Sequence, residues 1–134
     1  MDSLNPTLNA WAPRVLSIVR IMFALVLLQH AFVKLFSFPM AVNFAPVGSL
    51  PWIAACIEFV TGLLILAGFF TRPAAFLLAG TMAAAYFIGH AGRGFYPIQN
   101  GGSLAIMYCF TALYLVFAGP GPWSVDAQRT SNPR

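Results

Sequence analysis

A chain of 134 residues that is 60% hydrophobic and only 7% charged, with a mean hydropathy of +0.80, is far from the roughly one-quarter charged content of soluble domains. That composition excludes an ordinary water-soluble fold and marks an integral membrane protein whose main surroundings are the lipid bilayer. The net charge of +4 comes from basic residues that are scattered and flank apolar runs, so membrane-facing placement accounts for it and no nucleic-acid partner is expected.

Four apolar segments follow in chain order, at about 15–36, 52–70, 74–91 and 101–119, each near the ~20 residues that cross a ~30 Å hydrocarbon core. Lipid cannot satisfy backbone polar groups, and the runs lack the ~10-residue alternation of an outer-membrane barrel. The expected fold is therefore all-α: one domain over 1–134, built as an antiparallel four-transmembrane-helix bundle. The first segment is too long for a signal-peptide core, carries His30 and Lys34, and has no small-residue cleavage site, so it reads as a retained span. Pro39, Pro46, Gly48 and Pro51 break the first connection. Thr71-Arg72-Pro73 makes a tight second turn, with Pro73 suited to the first turn of the third helix. Gly92 to Gly102, with Pro97, forms the third connection, and Gly119-Pro120-Gly121-Pro122 stops the fourth helix. The polar tail at 124–134 is expected to be loosely ordered.

An even number of spans puts both termini on one side. That side would carry Arg14, Arg20, Arg72, Arg129 and Arg134, against Lys34 and Arg93 opposite, so the positive-inside bias places both termini in the cytoplasm. Trp11, Trp52, Tyr96 and Trp123 fall near predicted helix ends, where amphipathic rings settle. Cys56 and Cys109 stand in separate segments without CxxC, haem-attachment or metal-type spacing. They read as small packing residues, and no metal site is expected.

The chemistry concentrates on Glu58, a lone carboxylate within the second apolar segment. An ionisable group there normally faces the bundle interior and has a partner. In the first segment Arg20, Phe23, Leu27, His30 and Lys34 follow three-and-four-residue spacing and share a stripe. At 1.5 Å per residue, His30 and Glu58 both lie roughly 9 Å below the outer ends of their helices. His90 closes the third segment, and Arg93, Gln99 and Asn100 follow in the outer loop. Two readings stay open: a polar contact of Glu58 with Lys34 or His30 that holds helices together, or an outward-facing pocket. In the pocket, Glu58 and His30 would be catalytic, and Lys34, His90, Arg93 and Asn100 would bind the ligand. Arg20, near the cytoplasmic end, reads as a snorkelling structural residue. Gly62, Gly68 and the pairs Ala79/Ala83 and Gly80/Ala84 read as close helix contacts. Phe23, Phe32, Phe36, Phe87, Phe95, Tyr96 and Tyr108 are candidate linings for a flat ligand, although most aromatic residues in such a chain face lipid or core.

Taken together, Arg20, Gln29-His30, Lys34-Leu35, Glu58, Gly62, Leu66, Gly68, Thr71-Arg72, Met82, Ala84, His90, Asn100-Gly101-Gly102, Gly119-Pro120-Gly121 and Ser124-Val125-Asp126 resemble the DoxX family over nearly the whole chain. The resemblance implies a four-helix protein of the bacterial inner membrane, often described as an oxidoreductase or a subunit of one. It also implies links to quinone and thiol redox chemistry and to soluble redox partners, and His30, Lys34 and Glu58 match family motif positions. Ala31 stands where a glycine usually follows the histidine, and Ser103 where an acidic residue commonly follows Asn-Gly-Gly.

The leading expectation is a quinone- or thiol-linked redox membrane subunit. In it Glu58 and His30 exchange protons with a non-covalently bound quinone, and Lys34 or Arg93 offsets developing negative charge. The sequence offers no haem ligation, flavin fold or paired dithiol, so a diffusible cofactor or an electron-donating partner is implied. The alternatives are a small-solute or proton transporter, which would require homo-oligomerisation, and a membrane anchor for a soluble redox enzyme.

Overall fold

The computed structural model describes residues 5–43 and 45–131, and among them helices account for nearly all regular structure, with no strand. The order is α1 (Asn5–Phe36), α2 (Leu50–Ala67), α3 (Thr71–Gly89), a 3-10 turn (Ala91–Arg93), the single turn α4 (Pro97–Asn100), α5 (Ser103–Ala118) and α6 (Val125–Ser131). Three helices are long and apolar enough to cross a membrane, and α5, at 16 residues, is apolar but shorter. At 1.5 Å per residue α5 is about 24 Å long. The architecture is that of a membrane helical bundle with three to four apolar helices.

α1 starts ten residues before its apolar run and passes through Pro13, and Leu8 and Trp11 on this extension are exposed. α2 starts from Ser49, whose Oγ accepts the Trp52 N–H, with Pro51 in its first turn. It ends at Gly68 (φ +65°), whose N–H bonds Ile65 O, followed by Phe69 N–H to Leu64 O. This paired closure uses the left-handed conformation that glycine adopts without strain.

α1 packs on α2, α2 on α3 and α3 on α5, whereas α1 and α5 meet only lightly. The core contains Phe23, Ala24, Leu27, Ile65, Ala75, Leu78, Ala112 and Leu115. Gly62 sits tight against α1: a Cβ built there would lie 2.9 Å from Leu28 Cδ2. Of the small-residue pairs, Ala79 packs in the core, while Gly80 and Ala84 are exposed and Gly80 faces open space. Large apolar side chains on the outer faces, among them Phe76, Phe87, Phe110 and Phe117, are exposed, as a lipid-facing surface requires.

Two expectations change at the end of the molecule that holds the chain's C-terminal segment. The tail, expected to be loose, forms α6 and is docked through polar groups. Asp126 N–H donates to Gly68 O (2.9 Å), and the Asp126 carboxylate accepts the Phe70 and Thr71 N–H groups at 3.0 Å each. α3 has no side-chain cap of its own at Phe70, so a residue 55 positions away supplies it. One polar residue of the tail, Asp126, therefore caps orphan amides of α3, while Gln128 to Ser131 stay exposed. Arg20 does not snorkel either. Its guanidinium is buried and donates to Pro120 O and to Trp123 O (2.6 Å), while Trp123 N–H donates to Ser17 Oγ. Carbonyls at and just after the Gly-Pro-Gly-Pro turn supply that cation's partners. Arg134 lies outside the described residues.

Candidate functional site

At the opposite end, where α1 and α3 finish and α2 and α5 begin, the helices enclose a cavity of about 220 Å³. Leu27, His30 and Lys34 enter it from α1, Glu58 from α2, Met82 and Ala85 from α3, and Leu104, Ala105 and Tyr108 from α5. His90 and Gly101 close its rim. The three-and-four spacing of Leu27, His30 and Lys34 aims all three inward. The light α1–α5 contact makes that seam the least closed side.

Lys34 Nζ donates to both carboxylate oxygens of Glu58, at 2.8 and 2.9 Å. The pair is unequal in burial: the Glu58 side chain is 2% exposed and that of Lys34 39%. The Lys34 side chain is thus partly open to the surroundings while the carboxylate sits in the interior. His30 makes no hydrogen bond to Glu58. Its Nδ1 lies 2.9 Å from Val26 O and 3.4 Å from Tyr108 Oη, and the two rings stand edge to face with centroids 5.8 Å apart. Phe23 packs edge-on against Tyr108 from below (5.5 Å) and fixes that ring.

The remaining candidates divide. His90 lines the cavity and donates from Nδ1 to Asn100 O at 3.1 Å. Asn100 is buried but outside the lining: its side chain donates to Gly94 O and Tyr86 Oη and accepts the Gly102 N–H at 2.8 Å, which holds the outer loop in shape. Arg93 is exposed on the 3-10 turn and does not line the cavity. Tyr108, read from the sequence only as one of several aromatics, is the added member. Its signal was present in the inward face Ala105, Tyr108, Ala112 and Leu115, which repeats at three- and four-residue steps.

A larger concavity of about 860 Å³ lies at the α6 end, among Pro13, Leu16, Phe70, Tyr114 and Pro120. Its charged members are engaged in holding the fold. Arg72 donates to Val116 O and Phe117 O, closing the C-terminus of α5, and Asp126 caps α3. Partial burial would raise the Asp126 carboxyl, but the amide donors of Thr71 and Phe70 and the charge of Arg129 outweigh it and hold Asp126 below the usual carboxylate range. Among the described residues no cluster of three or more His, Cys, Asp or Glu could hold a metal ion, and both cysteines are free.

A family model described as DoxX matches residues 15–91, more than half of the chain. A protein of Haemophilus influenzae described as an uncharacterized protein is 40% identical over 125 residues, covering 89% of this chain and 93% of that relative. No solved structure matches the chain.

Proposed function

The chain belongs to the DoxX family of membrane proteins, and from that premise we propose that it is the membrane subunit of a quinone- or thiol-linked redox system. Its small redox-active ligand binds in the cavity between His30, Lys34, Glu58 and Tyr108. The protein works as an antiparallel four-span bundle in the bacterial inner membrane, with α5 as the fourth span. Both termini are cytoplasmic, on the side of Arg14, Arg20, Arg72 and Arg129. Electrons are exchanged with a soluble redox partner.

One observation carries the reading: a bidentate Lys34–Glu58 pair, a histidine and a tyrosine hydroxyl meet apolar walls from Leu27, Met82, Leu104 and Ala105 in one cavity. Polar groups few in number and convergent on an apolar hollow are the usual form of a small-molecule site. Its volume is below the ~300 Å³ lower end of such sites. A single ring fits, and an apolar tail would leave through the α1–α5 seam towards lipid. The donor set suits a quinone head, which has flat apolar faces and hydrogen-bonding oxygens at its edge.

A bound quinone supplies two-electron, two-proton redox chemistry. The residues of the chain bind and orient the ring, hold protons at Glu58 and His30, and place the Lys34 ammonium where negative charge develops. The test is calorimetric titration of the nanodisc-embedded protein with a soluble benzoquinone analogue across pH, beside Glu58→Gln. Saturable binding with a pH dependence altered in the variant is expected. No binding at any pH, or identical profiles, would overturn the reading.

A further inference from the structure

The hollow of about 860 Å³ at the α6 end keeps hydrogen-bond donors that its structural bonds leave over. Arg72, in the first turn of α3, spends only Nη1 on the fold, donating it to the Val116 and Phe117 carbonyls. Among the described residues Nε and Nη2 have no protein partner, and no carboxylate pairs with the guanidinium. Arg72 is exposed and lines the hollow, with Nη2 beside Gly119, one residue before the lining Pro120. The Nε and Nη2 edge of a guanidinium is a two-donor fork that fits two oxygens of one phosphate.

The surrounding charge has the matching sign. Arg14 stands next to the lining Pro13 and Arg129 next to the lining Thr130, and both arginines are exposed. The opposing charge in the lining is Asp126, but its two oxygens accept the Phe70 and Thr71 N–H groups and so serve the start of α3. The walls are apolar and come from the two helices that meet only lightly: Ala12, Pro13 and Leu16 of α1 and Tyr114 and Ala118 of α5. The apolar run of α1 begins near Val15 and α5 ends at Ala118, so the hollow lies at the depth where hydrocarbon gives way to headgroups. Basic at that level and apolar along the α1–α5 seam, it has the polarity profile of a phospholipid.

From these features we infer that the α6 end binds one anionic phospholipid, with its phosphate on Arg72 Nε and Nη2 and its acyl chains along the α1–α5 seam. A headgroup of net negative charge is preferred, because the quaternary ammonium of a zwitterionic lipid would lie near Arg14, Arg72 and Arg129. The volume lies within the ~300–1,000 Å³ of small-molecule sites and accommodates a headgroup with its glycerol. The lipid would bridge α1 and α5, which have little direct contact of their own. None of this depends on what the cavity around Glu58 holds.

The test is native mass spectrometry of the full chain in detergent micelles, titrated with phosphatidylglycerol or with phosphatidylcholine of the same chains. Wild type should take up one phosphatidylglycerol in a saturable step, about fivefold more tightly than phosphatidylcholine, the gain from one basic residue at an anionic headgroup. Arg72→Gln should weaken phosphatidylglycerol by about fivefold or more and bring the two lipids together. Arg14→Gln, outside the lining, should keep most of the preference. Because Arg72 also closes α5, Ala118→Phe serves as a second variant: it fills the hollow without changing charge and should abolish the saturable step. Thermal melting in the same micelles shows which variants are folded. Glycerophosphoglycerol, the headgroup without chains, should not displace the lipid. The inference is overturned by no saturable step in wild type, by equal affinities for the two lipids, or by a loss in Arg14→Gln as large as in Arg72→Gln. An unchanged step in folded Ala118→Phe overturns it too, and displacement by the headgroup alone would assign the site to a soluble phosphodiester instead.

Discussion

Removing one partner of the Lys34–Glu58 pair should have an effect that depends strongly on which partner is removed. Replacing Lys34 by Met strands a carboxylate whose side chain is 2% exposed, and breaking a buried pair in that sense costs about 3–5 kcal/mol. Replacing Glu58 by Met strands an ammonium whose side chain is 39% exposed. That group can turn outward and recover solvation, so the cost should fall towards about 1–2 kcal/mol. Replacing both by Met removes the charges together and should return stability close to wild type. The assay is reversible unfolding in mixed micelles with increasing denaturing detergent, followed by tryptophan fluorescence and read as a double-mutant cycle. The coupling should exceed about 2 kcal/mol, with Lys34→Met the worse single variant. Equal single costs, or a double variant as unstable as the sum, would show that the pair is not held across the α1–α2 interface as described.

The glycine at the α1–α2 contact gives a second contrast. Gly62→Val, whose Cβ falls 2.9 Å from Leu28 Cδ2, should destabilise by about 1–3 kcal/mol, whereas Gly80→Ala, with nothing nearby, should be neutral or gain up to about 1 kcal/mol in the same assay. Asp126→Ala should cost about 1–2 kcal/mol by uncapping α3, measured as faster hydrogen exchange at the Phe70 and Thr71 amides. Because the Asp126 carboxyl is lowered in the folded chain, its contribution should be complete above about pH 4 and disappear as pH falls through that lowered value. Protection of those two amides, relative to the intrinsic exchange rate at each pH, should fall over that interval in wild type and stay flat in Asp126→Asn. For orientation, single cysteines at the exposed Val47 and Phe95, in a background without Cys56 and Cys109, should label from outside spheroplasts, while one at Thr130 should be protected. Labelling of Thr130→Cys alone would invert the proposed topology.

Hydrophobic run length and proline-glycine punctuation were enough to place α2, α3 and α5 within a few residues, because lipid leaves a backbone little choice but to satisfy itself locally as helix. The same local rule aimed His30 and Lys34 at one face and set Glu58 at their depth, since rise and turn per residue do not depend on the rest of the chain. What run length missed is polar. α1 extends to Asn5 along an exposed stretch, and α6 forms from a tail that looks like solvent-exposed chain, the latter held by Asp126 bonds that exist only once distant segments meet. Arg20 and Asp126 show the point: both find partners about a hundred or about fifty residues away, a separation no periodicity encodes. The cavity divides along the same line. Its ionisable members were legible as costly groups in an apolar run, but the preference of Glu58 for Lys34 over His30, the release of Asn100 and Arg93 to the outer loop, and the entry of Tyr108 were decided by packing. Side-chain direction follows from local geometry, whereas partnership depends on which helix faces which, and only the tertiary structure supplies that.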